Sequence, residues 1–95
     1  MNATQAGSLA EKEREPRQIP PAAERCAAEP RWIELAGRRS DGGRTVRDVL
    51  VWVVRFVLPG AWIDLLIADV SGEVVRVDKS RGYVQRGGLS SREIE

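Results

Sequence analysis

Four carboxylates in the second half of the chain, Asp64, Asp69, Glu73 and Asp78, are the residues best suited to acid–base chemistry. Paired acids catalyse proton transfer when their surroundings separate their pKa values. The spacing of these four does not place two of them in one cleft, and acids at strand edges or turns commonly have no catalytic role. We therefore predict no catalytic residues and expect that the protein is not an enzyme.

Nucleophilic and metal-dependent chemistries are restricted by the absence of histidine and by the presence of one cysteine. No Ser-His-Asp or Cys-His pair and no histidine-containing metal site can form. Cys26 alone cannot make an intrachain disulfide, although it could form an intermolecular one. Its neighbours are rich in Ala, Glu and Pro, which favours a solvated thiol. We expect no metal and no cofactor.

The formal net charge is +1, from fifteen Lys and Arg against fourteen Asp and Glu. Proteins that neutralise many phosphates usually show a clear basic excess. A local basic stretch is present but is interrupted by acids, which is typical of a solvated face. Its arginines are Arg31, Arg38, Arg39, Arg44 and Arg47, and the interrupting acids are Glu34, Asp41 and Asp48. No specific nucleic-acid partner is expected.

Residues 1–30 contain little that could be buried, because Leu9 and Ile19 are the only large aliphatic side chains after Met1. Such a segment does not repay its ordering entropy, so we predict a disordered tail. We expect residues 31–86 to form one small domain and residues 87–95 a flexible end. No apolar stretch typical of a signal peptide is visible near the amino terminus, and a cytoplasmic location is expected, with a membrane location as the alternative.

Residues 45–58 are the longest apolar element, and their type is ambiguous. Six valines favour a strand. At 100° per residue, however, Arg47, Asp48 and Arg55 fall on one side of a helix, and fourteen residues is long for a strand. We therefore predict a helix here. Strands are predicted at 31–35, 61–70 and 73–78, with a short one at 83–85.

The strand at 73–78 alternates, which predicts that Val75 and Val77 share one face while Val74, Arg76 and Asp78 share the other. The resulting fold class is α+β. It is a small single domain in which one helix packs on a short, mostly antiparallel sheet behind a disordered tail.

Residues 49–70 are apolar enough to raise a membrane alternative, a single membrane-associated helix with residues 46–68 inserted in or lying on the bilayer. Arg55, Asp64 and Pro59 argue against a span, because each charge near mid-membrane costs roughly 2.5 to 3.5 kcal/mol. A soluble core element is the favoured reading. Trp52 and Trp62 are then aromatics of the core or of an interface.

The predicted order of strand, helix and two strands carries a family resemblance. The helix start Thr45-Val-Arg-Asp-Val-Leu, the stop at Pro59-Gly60 and the hairpin around Ser71-Gly72 resemble segments of β-grasp proteins, the fold of ubiquitin and its sulfur-carrier relatives. The resemblance covers at most residues 31–88 and implies a ubiquitin-like domain. Gly87-Gly88 resembles the family's conjugated diglycine, but seven residues follow it here, so a flexible exit from the fold is the favoured reading.

The function expected from these features is a non-catalytic protein–protein interaction module or an accessory subunit of a larger assembly. The small core and the excess of apolar surface indicate a protein partner or a homo-oligomer. Trp62, Arg76 and Tyr83 are the predicted partner-binding residues, chosen for their residue types and for expected partial exposure. A small membrane-associated protein is the alternative.

Overall fold

A computed structural model describes residues 1–38 and 41–83 of the chain. One helix, α1 (Ala3–Glu13), precedes five strands, which are β1 (Glu24–Arg25), β2 (Glu29–Arg38), β3 (Arg44–Leu58), β4 (Ala61–Ala68) and β5 (Val74–Lys79). The strands form one antiparallel sheet in which β3 pairs with β4 and β4 with β5. Both β1 and β2 pair with the outer side of β3, one after the other along its length. Strands β2 to β5 therefore form a meander of consecutive strands, whereas β1 pairs with β3 and is separated from it in sequence by β2.

The sheet architecture corrects the helix predicted at residues 45–58. This segment is β3, a fifteen-residue strand rich in β-branched side chains, and its propensity outweighs the helical spacing of its charges. Arg47 and Arg55 point to one face of the sheet and Asp48 to the other, as alternation along a strand requires. The predicted fold of one helix in the middle of the chain is wrong. The helix lies at the amino terminus, and the sheet dominates.

The disordered tail that the fold class included is also not what the structure shows. Asn2 begins α1 with a reciprocal capping box, in which its side chain accepts from the Gln5 amide at 2.8 Å and the Gln5 side chain accepts from the Asn2 amide at 2.8 Å. The helix buries Ala6 and Ala10 completely. Because these side chains are small, the helix backbone comes close to the sheet and needs few large aliphatic residues.

The segment that joins α1 to the sheet is fixed by Arg14. Its guanidinium donates to the carbonyl oxygens of Pro20 at 3.0 Å and Ala23 at 3.1 Å. It also lies 4.7 Å from the centroid of the Phe56 ring, within the range of a cation–π contact. Ile19 and Ala23 are buried against the same core. Residues 1–30 thus form part of the folded unit.

The main core lies between α1 and the helix-side face of the sheet. Its centre is completely buried and is formed by Val54, Phe56, Leu65 and Ile67. A smaller cluster lies on the opposite face, where Val51 and Leu66 are completely buried and Ile33 and Val53 nearly so. Both faces of the central strands are therefore covered, and their sequences read as continuous apolar runs.

The β4–β5 hairpin was predicted correctly in position, but its faces differ from the prediction. A bulge between Leu66 and Ile67 shifts the register. Val74 and Val77 consequently pack towards the helix side, while Val75 joins the smaller cluster on the opposite face. The predicted pairing of Val75 with Val77 on one face is wrong, because a bulge breaks the period of two.

The membrane alternative of a single helix is corrected as well, because residues 46–68 are the strands β3 and β4 with a turn between them. Within residues 1–38 and 41–83, no helix has the length and apolar character needed to cross a membrane. The short strand predicted to end at residue 85 and Gly87-Gly88 lie outside the described residues.

Candidate functional site

A two-stranded ribbon projects from the sheet. The β2–β3 ladder runs to the pair Arg38 and Arg44, whereas the β3–β4 ladder begins only at the pair Val51 and Ala68. Residues 44–50 of β3 and residues 32–38 of β2 therefore form a projecting part without β4 beside it, which we call the ribbon. Its side chains are mostly exposed. The ribbon presents polar backbone and side chains together, as a binding element does.

The outer side of β2 is a free edge. Among the described residues, no strand pairs with β2 on the side away from β3. Pro30 lies opposite Trp52 in the ladder and has no N–H to donate, so this pair belongs to the non-hydrogen-bonded class. Alternate residues of β2 then direct their amides outward, and these include Trp32, Glu34 and Ala36. This edge offers a row of donors and acceptors for another extended segment.

The helix-side face of the ribbon carries an aromatic and acidic patch. The cross-strand pairs on this face are Trp32 with Leu50, Glu34 with Asp48, and Ala36 with Val46. Trp32 is 68 % exposed and Val46 is 63 % exposed. We call Trp32, Glu34, Val46 and Asp48 the ribbon patch. Trp32 and Val46 lie on either side of the two acids, so this face presents apolar and acidic side chains next to one another.

The two acids of the ribbon patch lie directly opposite each other. At such a position the Cβ atoms are about 4.5 to 5.5 Å apart, and like charges there destabilise the sheet. Glu34 and Asp48 make no ion pair or side-chain hydrogen bond with any residue that the structure describes. Other acids of the fold do have partners, such as Glu11 with Arg14 and Asp64 with Arg55. Among the described residues, the pair therefore has no direct counter-ion.

A groove of about 510 Å³ lies between the ribbon and the turn that joins β4 to β5. Its apolar lining includes Leu35, Val49 and Val75, which are partly buried members of the smaller core cluster. Trp32 and Val70 also line it, and Val70 is almost fully exposed. The groove extends the apolar surface available to a segment that docks near the ribbon.

The predicted partner-binding residues Trp62 and Arg76 lie on the sheet face opposite the helix. The Arg55 guanidinium stacks on Trp62 at 4.1 Å from the ring centroid. Arg76 is exposed and donates to Asp78 at 3.2 Å. The third predicted residue, Tyr83, is only 8 % exposed and packs in the helix-side core, unlike the partial exposure expected. The structure brings Trp62 and Arg76 to one face and places Tyr83 on the other.

An ion pair with a buried carboxylate and an exposed guanidinium occupies the same helix-free face. The Asp64 carboxylate is 3 % exposed and accepts from the Arg55 guanidinium in a bidentate arrangement with distances of 2.7 and 2.9 Å. This hydrogen bonding raises the pKa of Arg55. Cys26 lies beside the pair, its amide donating to the Arg55 carbonyl at 2.8 Å. Because Arg55 and Asp64 neutralise each other and Trp62 covers the guanidinium, the arrangement fits a structural role.

The four acids considered for catalysis are divided between the two ends of the β4–β5 hairpin. Asp64 and Asp78 are opposite each other in the ladder. Asp69 accepts from the Trp52 indole at 2.8 Å, which lowers the pKa of Asp69, and Glu73 lies in the nearby turn. In the described part of the chain, no group of three or more His, Cys, Asp and Glu residues could hold a metal ion.

The sequence reasoning missed the ribbon patch. The signal that could have revealed it is the strand propensity of residues 45–58. In a strand, Asp48 lies on the face of the sheet opposite to that of Arg47. Combined with a hairpin through the loop that begins at Gly37, that interpretation would have put Asp48 near Glu34. A helix at residues 45–58 excludes this pairing.

Comparisons of the chain with protein-family models, with curated proteins and with solved structures find no match. They leave the resemblance to β-grasp proteins as a prediction, although one of its elements, the helix at residues 45–58, is a strand.

Proposed function

We propose that this protein is a non-catalytic protein-interaction module that binds an extended segment of a partner along the free edge of β2. The observation that carries the proposal is this edge, a ten-residue outer strand with an exposed tryptophan beside it. Backbone hydrogen bonds along an edge supply affinity that does not depend on sequence, and side chains on the two faces supply specificity.

The rest of the fold supports this role as a rigid platform. The helix-covered core holds β3 on its inner part, and β3 in turn holds β2 through a ladder of ten cross-strand pairs. The edge of β2 is therefore held in place through β3 and does not need a separate core. Ordering costs on binding fall mainly on the partner, because the edge strand already has an extended backbone.

The test exploits the two kinds of position in β2. Ala36→Pro removes an amide that points outward, and Pro30 already shows that β2 tolerates proline at such a position. Ala36→Val keeps the amide and is the matched control. Peptides would be selected from a random library displayed on phage against the wild-type protein, and their affinities for the three proteins would be measured by calorimetry.

We expect Ala36→Pro to weaken binding of the selected peptides by about ten-fold or more, because hydrogen bonds at the edge are lost, while Ala36→Val changes it little. Hydrogen exchange of the Trp32 and Glu34 amides should slow in the complexes. Peptides that bind all three proteins equally would contradict the proposal. Loss of binding in Trp62→Ala or Arg76→Ala, with Ala36→Pro unaffected, would place the interface on the helix-free face.

A further inference from the structure

The ribbon patch carries information about the partner that the free edge alone does not. Glu34 and Asp48 are opposed without a counter-charge among the described residues, and Trp32 occupies the neighbouring position on the same face. Asp48 is diagonal to Trp32 across the two strands, at a distance of about 7 to 8 Å between Cα atoms. Two carboxylates and an aromatic ring thus surround one position.

A strand added at the edge of β2 would project alternate side chains over this position. Its residue opposite Glu34 has its Cβ about 5 Å from that of Glu34 and lies about 10 Å from β3, since neighbouring strands are 4.7 to 4.9 Å apart. A long side chain can therefore reach both Glu34 and Asp48. A short one contacts only Glu34.

Arginine fits this position best. Its planar fork donates in a bidentate manner to carboxylates, and its guanidinium also stacks on aromatic rings at up to about 6 Å. Bound there, it would convert the repulsion between Glu34 and Asp48 into two attractive contacts. Lysine supplies the charge without the fork or the stacking surface.

The residues on either side of that arginine would face the opposite side of the sheet, next to Ile33 and Leu35. Ile33 is buried and Leu35 is partly buried, and both belong to the smaller apolar cluster. Apolar, β-branched residues suit these positions because they favour extended backbone and extend the cluster.

We infer that the partner segment is an extended strand in which an arginine lies between two apolar residues, with the arginine opposite Glu34 and in reach of Asp48 and Trp32. This inference rests on the proposed function and specifies the chemistry of its partner. The charge complementarity of the ribbon patch favours this occupant over a second copy of the chain, because an antiparallel pairing of two β2 strands centred on Glu34 would place the Glu34 side chains of both copies directly opposite each other.

The probe for the experiment is an acetylated and amidated heptapeptide with the sequence Ser-Thr-Val-Arg-Val-Thr-Ser. The matched peptide has citrulline in place of arginine, which keeps the shape and removes the charge. Both are titrated by nuclear magnetic resonance into the full-length wild-type protein and into the double variant Glu34→Gln/Asp48→Asn. A second double variant, Glu15→Gln/Glu24→Gln, removes two exposed acids outside the ribbon and controls for net charge.

We expect the arginine peptide to bind the wild-type protein about ten-fold more tightly than the citrulline peptide. This preference should disappear in Glu34→Gln/Asp48→Asn and persist in Glu15→Gln/Glu24→Gln. Trp32→Ala should reduce it, and high salt should weaken it. The amide signals of Trp32, Glu34 and Ala36 should shift on binding.

Equal binding of the two peptides, with shifts along β2, would overturn the arginine inference and leave the edge-docking function intact. Absence of binding and of shifts for both peptides, together with selected peptides that ignore Ala36→Pro, would remove the proposed function itself. Concentration-dependent dimers in sedimentation that Ala36→Pro abolishes would make a second copy the occupant and would also overturn the inference.

Discussion

The helix-covered part of the sheet and the ribbon share strand β3 but have opposite relations to water. In the inner part, Phe56 and Leu65 are completely buried between α1 and the sheet. In the ribbon, Trp32 and Val46 are largely exposed. One continuous strand, β3, passes through both environments. The difference separates a buried part from an exposed part along a single strand, and under the proposed function it separates stability from recognition.

The largest expected effect comes from breaking the inner part. Phe56→Ala should lower the free energy of unfolding by about 3 to 5 kcal/mol, because it leaves a cavity at the centre of the core. That is a large share of the 5 to 15 kcal/mol typical of such domains. Urea unfolding followed by circular dichroism measures it. If the alanine variant does not fold, Phe56→Leu, which retains most of the volume, replaces it. An effect of Phe56→Leu no larger than that of Val46→Ala would contradict the distinction between the buried inner part and the exposed ribbon.

An intermediate effect is expected from the ion pairs that hold the helix. Hydrogen bonds from Arg14, and then from Arg25, lower the pKa of Glu11 from 4.5 to about 2. The unfolded chain protonates Glu11 at a higher pH than the folded protein does. The stabilisation that the Glu11 ion pairs provide is therefore present above pH 4.5 and is lost as the pH falls from 4.5 to 2.

Acid titration of the unfolding free energy in wild type and Glu11→Gln measures this contribution. The variant should show a shallower decline between pH 4.5 and 2, the interval set by the two pKa values. Glu15→Gln is the control, as an exposed acid just beyond the helix. Identical slopes for wild type and Glu11→Gln would mean that this ion pair does not help to hold α1 on the sheet.

The smallest effect is expected in the ribbon. Trp32→Ala removes an exposed side chain, and it should change the unfolding free energy by no more than about 0.5 kcal/mol, as is usual for surface positions. The same denaturant experiment applies. A decrease of 2 kcal/mol or more in the free energy of unfolding would show that Trp32 belongs to the core. The ribbon and the inner part would then not differ in their contribution to stability.

The sequence predicted some of these features because local chemistry determined them. Pro59-Gly60 ends β3 in a turn with Gly60 at a φ of 75°, a left-handed conformation that favours glycine. The position of the β4–β5 hairpin followed from its turn at Ser71-Gly72, whereas the bulge changed the faces that its alternation predicted. These features depend on a few neighbouring residues, and no distant contact overrides them.

The remaining features depend on contacts between distant residues. Ala6 and Ala10 carry no sign in the sequence that a sheet will cover them, so the amino-terminal segment was interpreted as disordered. In β3, residues 51–54 are buried or partly buried on both faces and residues 44–48 are exposed on both, so burial alternates only near the end of the strand. The helical spacing of Arg47, Asp48 and Arg55 therefore misled the prediction.

The position of α1 has a consequence for the order of folding. The pairings of β2 with β3, of β3 with β4 and of β4 with β5 join consecutive strands, so these hairpins close through short loops. The helix, in contrast, contacts β3 and β4, more than thirty residues away along the chain. During synthesis α1 leaves the ribosome first, but its docking surface is complete only after Ala68 has emerged. The sheet is therefore expected to form first, and the helix to close over it as the last step.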